Sequence, residues 1–293
     1  MPIRPTATSP AAATATVSQR AVNAFSALLE SRTGQQISAY RSWRIDTALK
    51  PLMRARGLDT LDQLAAALLE TGDRYLSDQI VDALLNGETS FFREAPVFDL
   101  IVEAVAALEA RQRRVRIWCA GCSTGQEPLS LAMLFAERAE ERGAPMPDIV
   151  ATDVSEAALA RTRAGRYTQF EIQRGLPIRR MMRWFDAVGN DWAAKQELLR
   201  AMTVRSHNLA ADAPLPGMFD IVLCRNVLLY LDPQTKTEVF ARFAAALRPG
   251  GLLVLGAGET VIGQTDAFAP SRDLRGLYER VDGATVAAAT AAG

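Results

Sequence analysis

The sequence is poor in histidine, in cysteine and in long apolar runs. It has one histidine, His207, and three cysteines, Cys119, Cys122 and Cys224, in 293 residues. The cysteines have no disulfide-like spacing, so we expect a reduced, cytoplasmic protein. No apolar run approaches the roughly 18 residues of a membrane span, and we predict no membrane segment. Lysine plus arginine and aspartate plus glutamate both total 33, so only local clusters of charge can indicate a partner.

The N-terminal third is predicted to be a small helical domain behind a disordered tail. Residues 1–17 are rich in alanine, threonine and proline, and we expect disordered tails there and at 284–293. In residues 18–86 apolar side chains recur at three- and four-residue spacing, which predicts helices. Pro51 is expected to begin a new helix or to kink one.

Short apolar strands alternate with helical stretches in the rest of the chain. The predicted strands are 115–119, 148–152, 219–224 and 252–255. This alternation predicts an α/β fold with a parallel sheet and helical crossovers, in a domain of residues 87–283. A segment rich in arginine, methionine and tryptophan interrupts the pattern, and we expect a small insertion at about residues 167–207.

A glycine loop follows the first predicted strand and indicates a nucleotide-like ligand. Gly121 and Gly125 permit a tight turn and a close approach of the backbone to a ligand, as in Rossmann-like folds. Glu127 stands at the start of the next helix, where it would repel a diphosphate. Asp153 ends the next strand and is placed to accept both ribose hydroxyl protons. Together, the glycine loop, Glu127 and Asp153 favour S-adenosylmethionine over NAD as the ligand, because S-adenosylmethionine carries a sulfonium, an ammonium group and a single ribose.

The same loop also matches two other patterns. Residues 121–125 fit the Gly-x-Ser-x-Gly pattern of a hydrolase nucleophile, and Ser123, Asp153 and His207 occur in the hydrolase order. No glycine-rich oxyanion segment with its own histidine stands upstream, which argues against a hydrolase. Cys119 and Cys122 form a Cys-x-x-Cys pair, but no second pair completes a metal site. We therefore predict small buried side chains there and no metal.

Five short segments carry a resemblance to a known family. They are residues 86–94 (Asn-Gly-Glu-Thr-Ser-Phe-Phe-Arg-Glu), 119–128, 151–153 (Ala-Thr-Asp), 208–209 (Asn-Leu), and 224–227 (Cys-Arg-Asn-Val) followed by Tyr230. In this order, over roughly residues 20 to 281, they resemble the CheR-type chemotaxis receptor glutamate methyltransferases. The resemblance implies a Rossmann-like S-adenosylmethionine-dependent methyltransferase domain with a small N-terminal all-helical domain and a small inserted β-subdomain.

The resemblance also implies an activity and a set of site residues. Members of the family move the methyl group of S-adenosylmethionine to glutamate side chains of chemoreceptors, which leaves γ-methyl esters and S-adenosylhomocysteine. Arg93 and Tyr230 would flank the transferring methyl group and the substrate carboxylate. The family often has asparagine where this chain has Gly87, so only a backbone contact is expected there. The implied cofactor contacts are Gly87, Thr89, Arg93, Gly121, Glu127, Asp153, Asn208, Leu209, Arg225 and Asn226.

The implied chemistry suits a chain with one histidine. A glutamate carboxylate is ionised at neutral pH, so its attack on a sulfonium methyl group needs no general base. The reaction needs in-line alignment and removal of water. Arg93 can orient the carboxylate with two hydrogen bonds, and Tyr230 can donate one to it. We expect Phe91 and Phe92 to pack in the core rather than to contact substrate.

A cluster of cations in the helical domain predicts a docking face for the substrate. Its members are Arg41, Arg44, Lys50, Arg54 and Arg56. Such a face would steer receptor methylation helices, which are rich in glutamate and glutamine. We expect the partner to be the cytoplasmic helical region of a chemoreceptor, with no nucleic acid, and the protein to be a monomer peripheral to receptor arrays. The alternative is a non-catalytic protein that binds S-adenosylmethionine or S-adenosylhomocysteine and regulates a chemosensory-like array.

Overall fold

The computed structural model describes residues 18–37, 43–110 and 114–281. These residues divide into two compact units, with boundaries after Leu29, Gln36 and Leu84. The predicted tails at 1–17 and 284–293 lie outside the described residues. No helix in the described ranges is long and apolar enough to cross a membrane.

Helices make up the N-terminal part of the chain. They are α1 (Gln19–Thr33), α2 (Trp43–Ala55), α3 (Leu61–Thr71) and α4 (Arg74–Leu84). Helix α2 buries Ile45, Leu49 and Met53, which recur every four residues and form its core-facing stripe. Pro51 lies inside this continuous helix, with its side chain exposed, and does not begin a new one.

The second unit combines strands and helices. Its strands are β1 (Arg116–Ala120), β2 (Asp148–Asp153), β3 (Arg166–Thr168), β4 (Phe185–Val188), β5 (Asp191–Ala194), β6 (Met202–Ser206), β7 (Phe219–Cys224), β8 (Leu247–Leu255), β9 (Phe268–Pro270) and β10 (Tyr278–Arg280). Its helices are α5 (Pro96–Glu109), α6 (Gln126–Arg142), α7 (Glu156–Ala164), α8 (Gln169–Gln173), α9 (Ile178–Trp184), α10 (Gln196–Arg200) and α11 (Pro233–Ala246).

A seven-stranded sheet in the order β6-β2-β1-β7-β8-β10-β9 forms the centre of this unit. The strands from β6 to β8 are parallel, whereas β10 is antiparallel to both β8 and β9. The carboxyl ends of β1, β2, β7 and β8 therefore meet at one edge, where open α/β sheets bind their ligands. The predicted Rossmann-like fold is confirmed, with a mixed central sheet.

Strand β1 illustrates why the sequence forms a sheet with both faces covered. Ile117 and Cys119 point into one hydrophobic core, and Trp118 points into the other. A strand buried on both faces reads as a continuous apolar run, as β1 does from Ile117 to Ala120. The indole N–H of Trp118 donates to Thr152 Oγ1 at 2.9 Å, which satisfies its buried polar atom.

The inserted β-subdomain is present but ends earlier than expected. Strands β3, β5 and β4 form a separate three-stranded antiparallel sheet. We expected the insertion to reach about residue 207, but β6 pairs in parallel with β2 and belongs to the main sheet. Only Met202 is buried in β6. This edge strand therefore lacks the apolar run that identified the other parallel strands.

Candidate active site

The glycine loop after β1 is shaped by contacts that leave no room for side chains. Gly121 and Gly125 have φ angles of +77° and +92°. A Cβ on Gly121 would lie 2.6 Å from Val227 Cγ2, and one on Gly125 would lie 2.7 Å from Thr162 Cγ2. Both positions therefore require glycine. Helix α6 begins directly after the loop and carries Glu127 in its first turn.

Ser123 joins the loop to two other segments. Its hydroxyl donates to the carbonyl of Gly87 at 2.7 Å, and its N–H donates to Asp153 Oδ2 at 2.8 Å. The ring of His207 is buried with its centroid 5.4 Å from that of Trp118, and burial lowers the pKa of this histidine. The hydroxyl of Ser123 thus has a backbone acceptor where a hydrolase nucleophile needs a histidine. Its contacts are those of a structural residue.

Asp153 ends β2 and lies beside the glycine loop. Each of its carboxylate oxygens accepts a backbone N–H, from Ser155 at 3.0 Å and from Ser123 at 2.8 Å. These bonds fix the orientation of the carboxylate, and an ionised carboxylate has about four acceptor positions in total. Ser155 caps α7 by accepting the N–H of Ala158 at 3.1 Å.

Arg225 is the centre of a buried ionic network. Its side chain is 2% exposed and lies 3.0 Å from Glu127 Oε2 and 3.1 Å from Glu94 Oε2. It also donates to the carbonyl of Arg93 at 2.6 Å. Burial raises the pKa of Glu127, and the neighbouring Arg225 opposes that rise. The observed role of Arg225 is therefore to hold Glu127 and the backbone of Arg93 in place, while its expected contact with the cofactor stays a prediction.

The segment from Gly87 to Arg93 places two predicted site residues next to buried aromatic rings. Phe91 and Phe92 are buried in the core, as expected. Thr89 and Arg93 are half-buried, and Arg93 Nη1 donates to the carbonyl of Glu88 at 3.2 Å. The packed rings thus anchor a segment whose polar side chains remain partly accessible.

The segment after β7 carries Asn226 and Tyr230. Asn226 has a φ angle of +60°, in the left-handed region that asparagine adopts more readily than most residues with a side chain. Tyr230 closes a 3₁₀ turn, and its carbonyl accepts the N–H of Gln36 at 2.8 Å. The side-chain amide of Asn86 donates to the Tyr230 hydroxyl. Asn86 directly precedes Gly87, the position at which the family often has asparagine. An asparagine one residue earlier in this chain therefore contacts the predicted catalytic tyrosine.

Asn208 and Leu209 make contacts that stabilise the loop after β6. The Asn208 amide donates to the carbonyl of Arg32 at 2.8 Å and accepts the N–H of Ala210 at 3.0 Å. The carbonyl of Leu209 accepts a hydrogen bond from Arg242 at 3.1 Å. Cofactor contacts from both residues stay predictions.

Comparison with known proteins identifies the family. Residues 87–275 match the model described as CheR methyltransferase, SAM binding domain. A chemotaxis protein methyltransferase from Vibrio anguillarum is 35% identical over 257 residues, which cover 86% of this chain and 94% of that protein. Chemotaxis protein methyltransferase Cher2 from Pseudomonas putida is 34% identical over 251 residues, which cover 83% and 91% of the two chains. The chain belongs to the CheR methyltransferase family.

Family membership confirms the resemblance that the five segments indicated. The protein is an S-adenosylmethionine-dependent methyltransferase, and the non-catalytic alternative is not favoured. The residues at the edge of the sheet fit this cofactor on their own chemistry. Glu127 and Asp153 supply two carboxylates, and Gly121 and Gly125, which have no room for a side chain, leave the backbone of the loop bare. Carboxylates and bare backbone suit a cationic ligand with a ribose and disfavour a diphosphate.

The predicted docking cations lie on and just after α2, in the helical unit. Lys50 forms an ion pair with Asp46 at 2.9 Å, Arg54 is exposed, and Arg44 is half-buried. Arg56 donates to Gln79 Oε1 at 3.0 Å within the same unit. Arg41 lies outside the described residues.

The three cysteines are buried free thiols, and burial raises the pKa of each of them. In the described ranges, no group of three or more histidine, cysteine, aspartate or glutamate residues could hold a metal ion. The small buried side chains predicted for Cys119 and Cys122 are confirmed.

Two polar groups at this edge, Glu94 and Glu259, are not among the site residues predicted from the sequence. Glu94 ends the segment of residues 86–94, but nothing in its position in the sequence indicates an ion pair with Arg225. Glu259 accepts backbone N–H groups from the segment after β7. The sequence does contain an indication of Glu259. This residue ends a Gly-Ala-Gly-Glu run directly after the predicted strand 252–255, where a site residue is expected.

Proposed function

We propose that the protein transfers the methyl group of S-adenosylmethionine to glutamate side chains of a chemoreceptor and forms methyl esters. The observation that carries the proposal is the pair of carboxylates, Glu127 and Asp153, beside the glycine loop at the carboxyl edge of the parallel sheet. Glu127 is kept in place by Arg225 at 3.0 Å, and Asp153 by two backbone N–H groups. The carboxylates would hold the cationic amino acid part and the ribose of the cofactor.

The residues of the chain have separate tasks in the proposed reaction. The bound cofactor supplies an electrophilic methyl group on its sulfonium. Arg93 would orient the substrate carboxylate, and Tyr230 would donate a hydrogen bond to it. Asn86 donates to the Tyr230 hydroxyl oxygen, which leaves the tyrosine proton for the substrate. No residue has to remove a proton, because the substrate carboxylate is already ionised at neutral pH.

The outer face of α2 is proposed to bind the receptor. Trp43 and Lys50 are exposed, and Arg54 extends the same face at four-residue spacing. A cationic face with one exposed aromatic ring is suited to a helix rich in glutamate. The cytoplasmic region of the receptor as substrate, a monomeric enzyme and a cytoplasmic location belong to this proposal.

The test is methyl transfer to a purified receptor fragment. With methyl-labelled S-adenosylmethionine, we expect label on the fragment that mild base releases as methanol, because esters are cleaved and N-methyl groups are not. Calorimetry with S-adenosylhomocysteine should detect binding to the same protein. Binding without any transfer would favour the regulatory alternative, and the absence of both would contradict the proposed function.

A further inference from the structure

A single carboxylate fastens the segment that follows β7. Glu259 lies in the loop after β8 and accepts four backbone N–H groups. Its Oε2 accepts those of Asn226 at 2.7 Å and Gly256 at 2.9 Å. Its Oε1 accepts those of Val227 at 2.9 Å and Leu229 at 3.3 Å. One side chain thus satisfies donors from two loops at the carboxyl edge of the sheet.

Residues 226 and 227 pack so closely against Gly121 and Gly256 that neither glycine has room for a side chain. A Cβ on Gly121 would lie 2.6 Å from Val227 Cγ2, and one on Gly256 would lie 2.7 Å from Asn226 Nδ2. Asn226 has a φ angle of +60° inside this narrow space. Asparagine adopts this conformation more readily than most residues with a side chain, and the bonds to Glu259 hold the surrounding backbone in place.

The same bonds determine where Tyr230 stands. Leu229, whose N–H binds Glu259, lies within the 3₁₀ turn Leu228–Tyr230. The turn continues from Asn226 and Val227 without an intervening residue. A shift of these backbone atoms would therefore move the Tyr230 hydroxyl, together with the side chain of Asn226.

We propose that Glu259 is a positioning residue for methyl transfer. Its carboxylate oxygens bind backbone N–H groups of Asn226, Val227, Leu229 and Gly256, and it acts through the backbone of residues 226–229. This inference rests on the proposed function, since it assigns Asn226 and Tyr230 their roles in that reaction. Misplacement of a reacting group by about 1 Å can cost about 100-fold in rate, so loss of the bonds to Glu259 should lower the rate of methyl transfer.

The test compares Glu259→Gln with Glu279→Gln. The second variant makes the same change at an exposed glutamate on β10. In Glu259→Gln an amide nitrogen replaces one carboxylate oxygen and faces backbone donors. We expect altered NMR shifts for the amides of residues 226, 227, 229 and 256 in cofactor-free protein. We also expect a fall in kcat of about 100-fold, with the KM for the receptor fragment little changed. Glu279→Gln should match the wild type in both.

Glu259→Asp provides a second variant that keeps the charge. Its shorter side chain should retain some of the bonds, and its kcat should lie between those of the wild type and Glu259→Gln. A folded Glu259→Gln protein with shifted amide signals and wild-type kcat would overturn the inference and leave only a role in stability. A wild-type chain that binds S-adenosylhomocysteine but transfers no methyl group would overturn the proposed function first, before any variant is compared.

Discussion

The buried arginine at the carboxyl edge of the main sheet has different surroundings from the charged side chains of exposed ion pairs. At the edge, Arg225 is 2% exposed and shared by Glu127, Glu94 and a backbone carbonyl. Elsewhere, pairs such as Arg163 with Glu156 are exposed and have one partner each, with 47% and 64% of the two side chains accessible.

Buried charges such as Arg225 fix the positions of neighbouring groups. Exposed charges such as Arg163 and Glu156 contribute mainly to the electrostatic potential at the surface. A buried, shared ion leaves several partners uncompensated when it is removed, whereas an exposed pair loses little because water replaces the partner. Substitutions at the edge should therefore change both stability and chemistry. Substitutions on the exposed face of α2 should change encounter with the receptor and its dependence on salt.

The largest effect is expected from Arg225→Met. Removal of the guanidinium leaves Glu127 and Glu94 without their buried partner, which should lower the free energy of unfolding by about 3–5 kcal/mol. Methyl transfer should be lost as well. Urea denaturation measures the first effect, and Arg163→Met is the matched control, with an expected change below about 0.5 kcal/mol. Equal losses in both variants would remove the distinction between the two regions.

Arg93→Ala should abolish most methyl transfer while the protein stays folded. The side chain of Arg93 makes one observed hydrogen bond, to the carbonyl of Glu88, so its removal should affect the substrate carboxylate more than the fold. We expect kcat to fall by about 100- to 1,000-fold, which is the usual loss when one hydrogen-bond donor that stabilises a transition state is removed. Arg174→Ala, which removes an exposed ion pair with Glu88, is the control. Unchanged turnover in Arg93→Ala would contradict its proposed role.

Asp153→Asn should weaken cofactor binding. The amide keeps one acceptor but loses the charge that favours two ribose hydroxyl donors, and hydrogen bonds to charged groups contribute about 1.5–3 kcal/mol. Calorimetry with S-adenosylhomocysteine should therefore give a dissociation constant about 10- to 100-fold higher. Asp148→Asn at the other end of β2, where the carboxylate pairs with Arg116, should leave the constant unchanged. An equal effect of both changes would remove Asp153 from the cofactor site.

Two glutamates on α6 should show opposite dependence of stability on pH. Burial raises the pKa of Glu127, so its contribution is present in acid and is lost as pH rises through the folded-state pKa. At Glu137, burial is outweighed by hydrogen bonds from Arg180 and Trp184, so the pKa is lowered and the contribution is lost as pH falls through it.

Substitution by glutamine reveals these two contributions. As pH rises from acid towards neutral, the stability difference between wild type and Glu127→Gln should shrink, and that between wild type and Glu137→Gln should grow. Urea denaturation at about pH 3 to 7 measures both slopes. If the two stability differences changed with pH in the same direction, Glu127 and Glu137 would not differ in the way their contacts indicate.

The smallest effect is expected on the face of α2. Replacement of Lys50 and Arg54 by alanine should raise the KM for a receptor fragment by a few fold and leave kcat unchanged, because exposed cations mainly steer association. The effect should fade at high salt. Arg20→Ala on α1 is the control. A change in KM that does not depend on salt would indicate a specific contact between these side chains and the receptor. An unchanged KM would contradict the proposal that this face binds the receptor.

The central strands and the glycine loop could be predicted because their signals are local. Strand β1 is apolar on both faces, and Gly121 and Gly125 mark the loop that follows it. Asp153 could be placed at the same edge because parallel strands end together. These positions needed only the order of strands and helices along the chain.

The ionic network and Glu259 could not be predicted because their contacts join distant parts of the sequence. Arg225 meets Glu127 across 98 residues and the carbonyl of Arg93 across 132. Nothing in the sequence near Arg225 distinguishes a buried arginine from an exposed one. Strand β6 was missed for a different reason, since an edge strand with one buried residue has no apolar run.

The most direct test of the central claim is to locate the transferred methyl group. Wild-type protein, S-adenosylmethionine and a glutamate-rich receptor fragment are incubated, and mass spectrometry identifies the modified side chain. We predict a methyl ester on glutamate that mild base removes and that Arg93→Ala fails to form. A base-stable methyl group on a lysine or arginine side chain, or glutamate esters formed equally well by Arg93→Ala, would contradict it.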